Sequence, residues 1–175
     1  MSSTKIKDRN EALSELEQVI DSHKFTNKEV NALCTALFSV IDHEKITYQK
    51  NGTAATLTRL QSGAYLLRRL ISKRASRLKP NIMTATIEFI TTRIFDQQGH
   101  VFTPVALDMC KTLHALVADD GHRYQILSDS WISLMEVILK LLNQQLKVNS
   151  TENFVFELLG TLKLMLKEPS ISFSR

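Results

Sequence analysis

The residues that turn a chain are few and far apart here, and that spacing constrains the fold more than any other feature. The 175 residues include five glycines and three prolines. A sandwich or barrel of many short strands needs a turn signal every few residues. Between Gly52, Pro80, Gly99, Pro104, Gly121 and Pro169 the apolar residues instead recur in steps of three and four. That is the period of a helix with one buried face. Apolar residues make up 43% of the chain, enough to fill a core and too many for a disordered segment.

The pattern predicts seven helices. The first runs from about Thr4 to Ile20, with Ile6, Leu13, Leu16, Val19 and Ile20 largely on one face. The second opens at Thr26. Glu29, three residues on, completes a capping box in which each side chain accepts from a free backbone N–H. Val30, Leu33, Cys34, Leu37, Phe38 and Ile41 form its buried stripe, and Gln49 to Gly52 reads as a loop. The third runs from Thr53 to Leu78, ending before Pro80 because a residue preceding proline disfavours helical geometry. The fourth covers Pro80 to Phe95. The fifth takes Thr103 as N-cap and Pro104 as first helical residue, and stops at Asp119-Asp120-Gly121. The sixth starts near Ser128 and ends near Leu146. The seventh, capped by Ser150 or Thr151, spans Glu152 to Lys167 and leaves a frayed end from Ser170.

Short connections make successive helices antiparallel neighbours. The fold class is therefore all-α, an antiparallel HEAT-like solenoid of about seven helices, with a compact irregular bundle as the competing architecture. The last helix stays apolar around much of its circumference, from Phe154 and Val155 to Met165 and Leu166. A solenoid ending there would need a polar cap. The expectation is a single N-terminal segment, 1–175, cut from a much larger chain.

No apolar run is long enough to span a bilayer, and the polar, charged start from Met1 to Asn10 does not read as a secretory signal. Cys34 and Cys110 sit inside apolar helical patterns and read as core. No metal site is expected. The histidines, His23, His43, His100, His114 and His122, show no ligand spacing. His43-Glu44 and Asp119-Asp120 read as loop or helix-end charges, and His114 as a core or boundary residue. Trp131, with Ile132, Leu134, Met135 and Ile138, reads as a buried anchor. No nucleophile elbow, phosphate-binding loop, dinucleotide fingerprint or kinase signature is present, so no catalytic residue, cofactor or small-molecule substrate is assigned to this segment.

Charge is unevenly spread. The formal net charge is +4, yet from Lys45 to Ile87 there are nine basic residues and no acidic one. Arg68, Arg69, Lys73, Arg74, Arg77 and Lys79 crowd the end of the third helix, and Arg69, Lys73 and Arg77 are four apart on one face. Such a stripe can meet DNA phosphates or an acidic partner. It can equally be a solvated face paired with acids of a neighbouring helix.

The opening, Ser2-Ser3-Thr4-Lys5-Ile6-Lys7-Asp8-Arg9-Asn10-Glu11-Ala12-Leu13-Ser14-Glu15-Leu16, resembles the TAN motif at the extreme N-terminus of ATM-family kinases, closest to their fungal telomere-length-maintenance branch. Lys5 and Lys7 match the motif's spaced lysines, Asp8-Arg9 its acid–arginine pair, and Ala12, Leu13 and Leu16 its apolar end. Asp8 stands where the family often has Glu. The motif's leading aliphatic position falls at Met1, which implies native residues before it. Tyr65-Leu66-Leu67-Arg68-Arg69-Leu70 and Trp131-Ile132-Ser133-Leu134 are similar to later stretches of the same family.

The resemblance implies a TAN motif over about 1–20 and helical repeats over 26–168. The parent would be a very large phosphatidylinositol-3-kinase-related Ser/Thr protein kinase. Its ATP- and Mg-dependent catalytic domain would lie far downstream. It implies a nuclear protein, present at telomeric chromatin and recruited by an MRN-type break-sensor complex, without a membrane partner. Lys5, Lys7, Asp8 and Arg9 would then serve docking or local packing. The competing readings are a superhelical adaptor and a nucleic-acid-binding helical module.

Overall fold

The computed structural model describes residues 2–119, 121, 123–148 and 154–166; side chains at 1–10, 120, 122–125, 127, 145–154 and from 167 onward lie outside that description. Seven α-helices are found among the described residues: α1 (Ser2–Ser22), α2 (Asn27–Asn51), α3 (Ala54–Arg74), α4 (Pro80–Arg93), α5 (Thr103–Ala118), α6 (Arg123–Val148) and α7 (Phe154–Leu166). A 3-10 turn, Ala75–Arg77, follows α3. The only extended pairing among these residues is an isolated bridge between Phe95 and Val101.

The helices form two layers. α1, α3, α5 and α7 pack side by side in one, α2, α4 and α6 in the other, and α2·α3, α4·α5 and α6·α7 pair between them. Helices two apart run parallel, which the partner residues show directly. Tyr65 meets Glu17 and Arg69 meets Asp21, each 48 residues apart. Lys45 meets the carbonyl of Arg93, also 48 apart, and His114 meets Thr161, 47 apart. The result is the expected all-α solenoid, with a structural repeat that the amino-acid identities do not display.

Local chemistry explains the boundaries. The Thr26–Glu29 capping box forms as expected: Glu29 N–H donates to Thr26 Oγ1 at 3.3 Å, and Thr26 N–H to Glu29 Oε2 at 2.7 Å. The loop expected at Gln49 to Gly52 is shorter, because α2 continues to Asn51. Gly52 ends it at φ 55°, in the left-handed region, and its N–H donates to Tyr48 O at 2.7 Å. Thr53 caps α3 by accepting from Thr56 N–H at 3.2 Å. The α-helix of α3 stops at Arg74 rather than Leu78. Leu78 is extended and its N–H donates to Ala75 O, and Lys79, before Pro80, is extended too.

Thr103 does not cap α5. It is the first helical residue, and Phe102 holds the cap position without a side-chain bond. Phe102 is buried and its N–H donates to Ile94 O at 2.8 Å, so an apolar anchor fixes this turn. α6 begins five residues earlier than expected, and Ile126 in that extra turn is buried. His43-Glu44 lies inside α2, not at its end, and Glu44 is buried. Asp119 is the C-cap of α5, whereas Asp120, the cap expected at Ser150 or Thr151, and everything beyond Leu166 fall outside the described residues.

The core runs continuously from Ile20 to Met165. Val19 and Ile132, expected inside, are exposed; Ile132 is 70% accessible, while Trp131 is half-buried against the core. Phe156, Leu159 and Leu166 of α7 are exposed as well.

Cys34 and Cys110 are fully buried free thiols. Burial pushes Cys34 up to about 11, against a hydrogen bond with Thr86, and Cys110 up to about 12. The thiolate is the reactive form. Both thiols are therefore expected to resist a disulfide reagent at pH 8 in the folded chain and to react together on unfolding. A native-state burst of one thiol would show that its helix opens locally.

Candidate interaction site at the first helix

The motif helix α1 lies along α3, and its second half is held there by two kinds of contact. Leu13 and Leu16 are half-buried against the core and Ile20 is fully buried. Beside this apolar edge runs a polar clasp. Tyr65 Oη donates to Glu17 Oε1 at 2.7 Å and accepts from Arg69 Nη1 at 3.0 Å. Arg69 clamps both oxygens of Asp21, with Nε to Oδ1 at 2.7 Å and a second bond from Nη2 to Oδ2. Lys73 Nζ reaches Asp21 Oδ1 at 2.6 Å. Bidentate arginine–carboxylate geometry fixes orientation as well as distance.

The stripe therefore has identified partners. Besides Arg69 and Lys73, Arg68 pairs with Asp108 of α5 at 3.2 Å and stacks on the Tyr65 ring. Arg74 Nη2 donates to His23 O at 3.4 Å, and Arg77 Nη1 to Phe25 O. Lys79 is exposed; its backbone N–H donates to Asn31 Oδ1 at 3.0 Å. Three helix ends are tied together here: α1's exit, α2's entry and α3's last turn.

Hydrogen bonds from Arg69 and Lys73 hold the Asp21 carboxyl well below the usual carboxylate range, and the same bond raises Arg69 above its ordinary value. Tyr65 is raised chiefly by its bond to Glu17. A carboxylate depressed by folding contributes stability that is complete above the unfolded value of about 3.9 and is lost as pH falls through the folded value. The clasp should thus be indifferent to pH between 5 and 9 and open only in strong acid. Because it is exposed, salt should weaken it. Asp21→Asn is expected to speed amide exchange over residues 11–22 while leaving the global melting transition nearly in place. Unchanged exchange would mean that Leu13, Leu16 and Ile20 hold α1 by themselves.

Behind the clasp lies a groove of about 460 Å³. Ala12, Leu13 and Leu16 of the motif form one wall, with Val40, Glu44 and Arg59 opposite. Arg59 Nε donates to Glu44 Oε2 at 3.0 Å, both side chains being about 7% and 6% exposed. Arg59 Nη1 is buried without an acceptor. The sequence alone reads Glu44 only as a loop or helix-end charge and does not single out Arg59. A signal for the pair was present: Glu44 continues the buried steps Val30, Cys34, Leu37 and Ile41, so a charge occupies a core position.

Of the motif residues, Ala12, Leu13 and Leu16 line the groove. Lys5, Lys7, Asp8 and Arg9 lie on the same unbroken helix, but their side chains are outside the described set. Position 9 precedes Leu13, Leu16 and Ile20 by four, seven and eleven residues, the register of the packed edge; position 7 lies away from it. Among the described residues no group of three or more His, Cys, Asp or Glu is placed to hold a metal ion, and no helix is long and apolar enough to cross a membrane.

The comparisons with known proteins agree with the motif. A family model described as telomere-length maintenance and DNA damage repair matches residues 1–132. The serine/threonine-protein kinase TEL1 of Debaryomyces hansenii is 26% identical over 97% of this chain. Its Saccharomyces cerevisiae counterpart is 26% identical over 94%, and that of Emericella nidulans 22% over 87%. In each case this chain spans about 6% of the relative's length. No solved structure matches. The chain belongs to the TAN family of telomere-length maintenance and DNA damage repair, in the form carried by TEL1- and ATM-like kinases.

Proposed function

We propose that this chain is the non-catalytic scaffold and docking region at the N-terminus of an ATM-type Ser/Thr protein kinase that signals DNA double-strand breaks and maintains telomere length. The observation that carries the reading is the size relation. Relatives named as kinases align along nearly this whole chain, yet the chain covers only about 6% of them. Phosphoryl transfer, with ATP and Mg, then belongs to the parent's downstream catalytic domain, and these residues recruit and position. An MRN-type complex in the nucleus, at breaks and telomeric chromatin, is the proposed recruiter.

Within that reading the basic stripe packs α1 and α5 against α3. Support comes from its partners, since Arg68, Arg69 and Lys73 are each paired with a carboxylate 40–52 residues away. A stripe free for DNA would gain affinity steeply as salt falls. Titrating a labelled 20-base-pair duplex at 50 and 200 mM salt tests the alternative, and a steep slope would restore DNA as a partner. For the motif itself, Lys7→Ala and Arg9→Ala in the full-length kinase are to be compared. Docking predicts loss of co-precipitated break-sensor complex, with peptide phosphorylation and melting temperature retained. A lowered melting temperature for Arg9→Ala alone points to packing, as its register with Leu13 suggests. Loss of peptide phosphorylation with recruitment intact would sink the scaffold reading.

A further inference from the structure

Ser76 lies in the 3-10 turn between α3 and α4. It is exposed, and its hydroxyl engages no partner among the described residues. Lys73 and Arg74 precede it by three and two residues, and Arg77 follows. From Lys73 to Arg77 only Ala75 is buried as a whole residue and Arg74 is half-buried, so little apolar packing is lost if this stretch is drawn into another protein's groove. The neighbouring cations are incompletely satisfied. Arg74 Nε is buried without an acceptor, and its Nη1 and Nη2 reach only backbone carbonyls, at 3.5 and 3.4 Å. Arg77 likewise bonds a carbonyl, that of Phe25. No acidic residue occurs from Lys45 to Ile87.

We propose that Ser76 is a phosphorylation site for a basic-directed Ser/Thr kinase, and that its phosphate draws Arg74 and Arg77 off the His23–Phe25 connection and loosens the motif helix α1. A basic pair two and three residues ahead of a serine is a charge pattern by which kinases choose substrates. In the reaction Ser76 Oγ bonds to the γ-phosphorus of ATP. The bond from that phosphorus to the bridging oxygen breaks, ADP leaves, and the hydroxyl proton passes to the kinase's catalytic carboxylate.

The product carries nearly two negative charges and three acceptor oxygens. An arginine–phosphate bond, charged on both sides, is stronger than an arginine–carbonyl bond, charged on the donor alone. The phosphate therefore outcompetes the neutral carbonyls of His23 and Phe25, whereas Lys73, paired with the Asp21 carboxylate, stays in place. Phosphorylation removes the two arginines from the α1–α2 connection and leaves α1 tied by Asp21 and by the Tyr65–Glu17 bond.

The test treats the 175-residue chain with ATP and the catalytic subunit of cyclic-AMP-dependent kinase, maps phosphate by mass spectrometry and follows amide exchange over residues 13–25. Expected are stoichiometric phosphate on Ser76, none there in Ser76→Ala, and incorporation about tenfold slower in Arg74→Ala, the factor for one lost charge-assisted bond. Exchange over residues 13–25 should quicken about tenfold or more in the phosphorylated chain, the factor for one lost bond from a charged donor. Treated Ser76→Ala, melting as the parent does, should show no such change. Phosphate that is absent or lies on other residues sinks the site. Phosphoserine at 76 with unchanged or slower exchange sinks the release of α1.

Discussion

Arg59→Ala is expected to destabilise the fold by about 3 kcal/mol, because the Arg59 side chain is only about 7% exposed and holds a buried carboxylate. Removing one partner of a buried ion pair typically costs about 3–5 kcal/mol, because the other charge stays buried without its counterion. The lower end applies, since Glu44 makes a further interaction besides the one with Arg59. Breaking an exposed pair such as Arg69–Asp21 costs far less, because water and salt screen it. Chemical denaturation of Arg59→Ala, Arg69→Ala and Glu44→Gln/Arg59→Met measures the contrast. The double variant replaces the pair by a neutral amide and an apolar chain of similar length, and should recover most of the loss. If Arg59→Ala and Arg69→Ala cost the same, the buried pair contributes no more than the surface clasp.

The helices could be read from the sequence because each is specified within a few residues. Thr26 and Glu29 cap α2 across a single turn. Pro80 begins α4. Leu60, Ala64, Leu67 and Ile71 mark the buried face of α3 by spacing alone. What escaped was set by register between helices. The two-residue connection Gly52-Thr53 folds α3 back on α2 and brings Arg59 against Glu44, 15 residues away. A loop read as four residues long gives a different register and hides the pair. The partners of the basic stripe lie further off, 48 and 52 residues before Arg69 and Lys73. A four-residue spacing of cations shows that they share a face; it does not show what that face meets. The motif behaved in the same way. Its apolar end at Ala12, Leu13 and Leu16 was legible, but the groove it walls requires α2 to lie alongside.

The α2–α3 register has a second consequence, at Gly63. A Cβ built there would stand 3.1 Å from Ile41 Cγ1 and 3.6 Å from Val40 Cγ1. Two opposing effects meet in Gly63→Ala. Alanine gains about 0.5–1 kcal/mol over glycine inside a helix, while the 3.1 Å contact requires fully buried Ile41 to give by a few tenths of an ångström. These nearly cancel, so the alanine variant should melt close to the parent. Gly63→Leu keeps the helix gain and adds three more carbons where the two helices already touch. Overpacking of a filled core costs about 1–3 kcal/mol, occasionally more, and the upper end applies because the opposing wall is a helix tied by a two-residue turn. Relief must come from moving α2, and Val40 is the next side chain displaced. Val40 also walls the groove beneath Ala12, Leu13 and Leu16. Gly63→Leu should therefore lower the denaturation midpoint and also speed amide exchange in the second half of α1, which it does not touch by sequence. A lowered midpoint with exchange in α1 unchanged would show that the motif helix rests on α3 alone and that the groove plays no part in holding it.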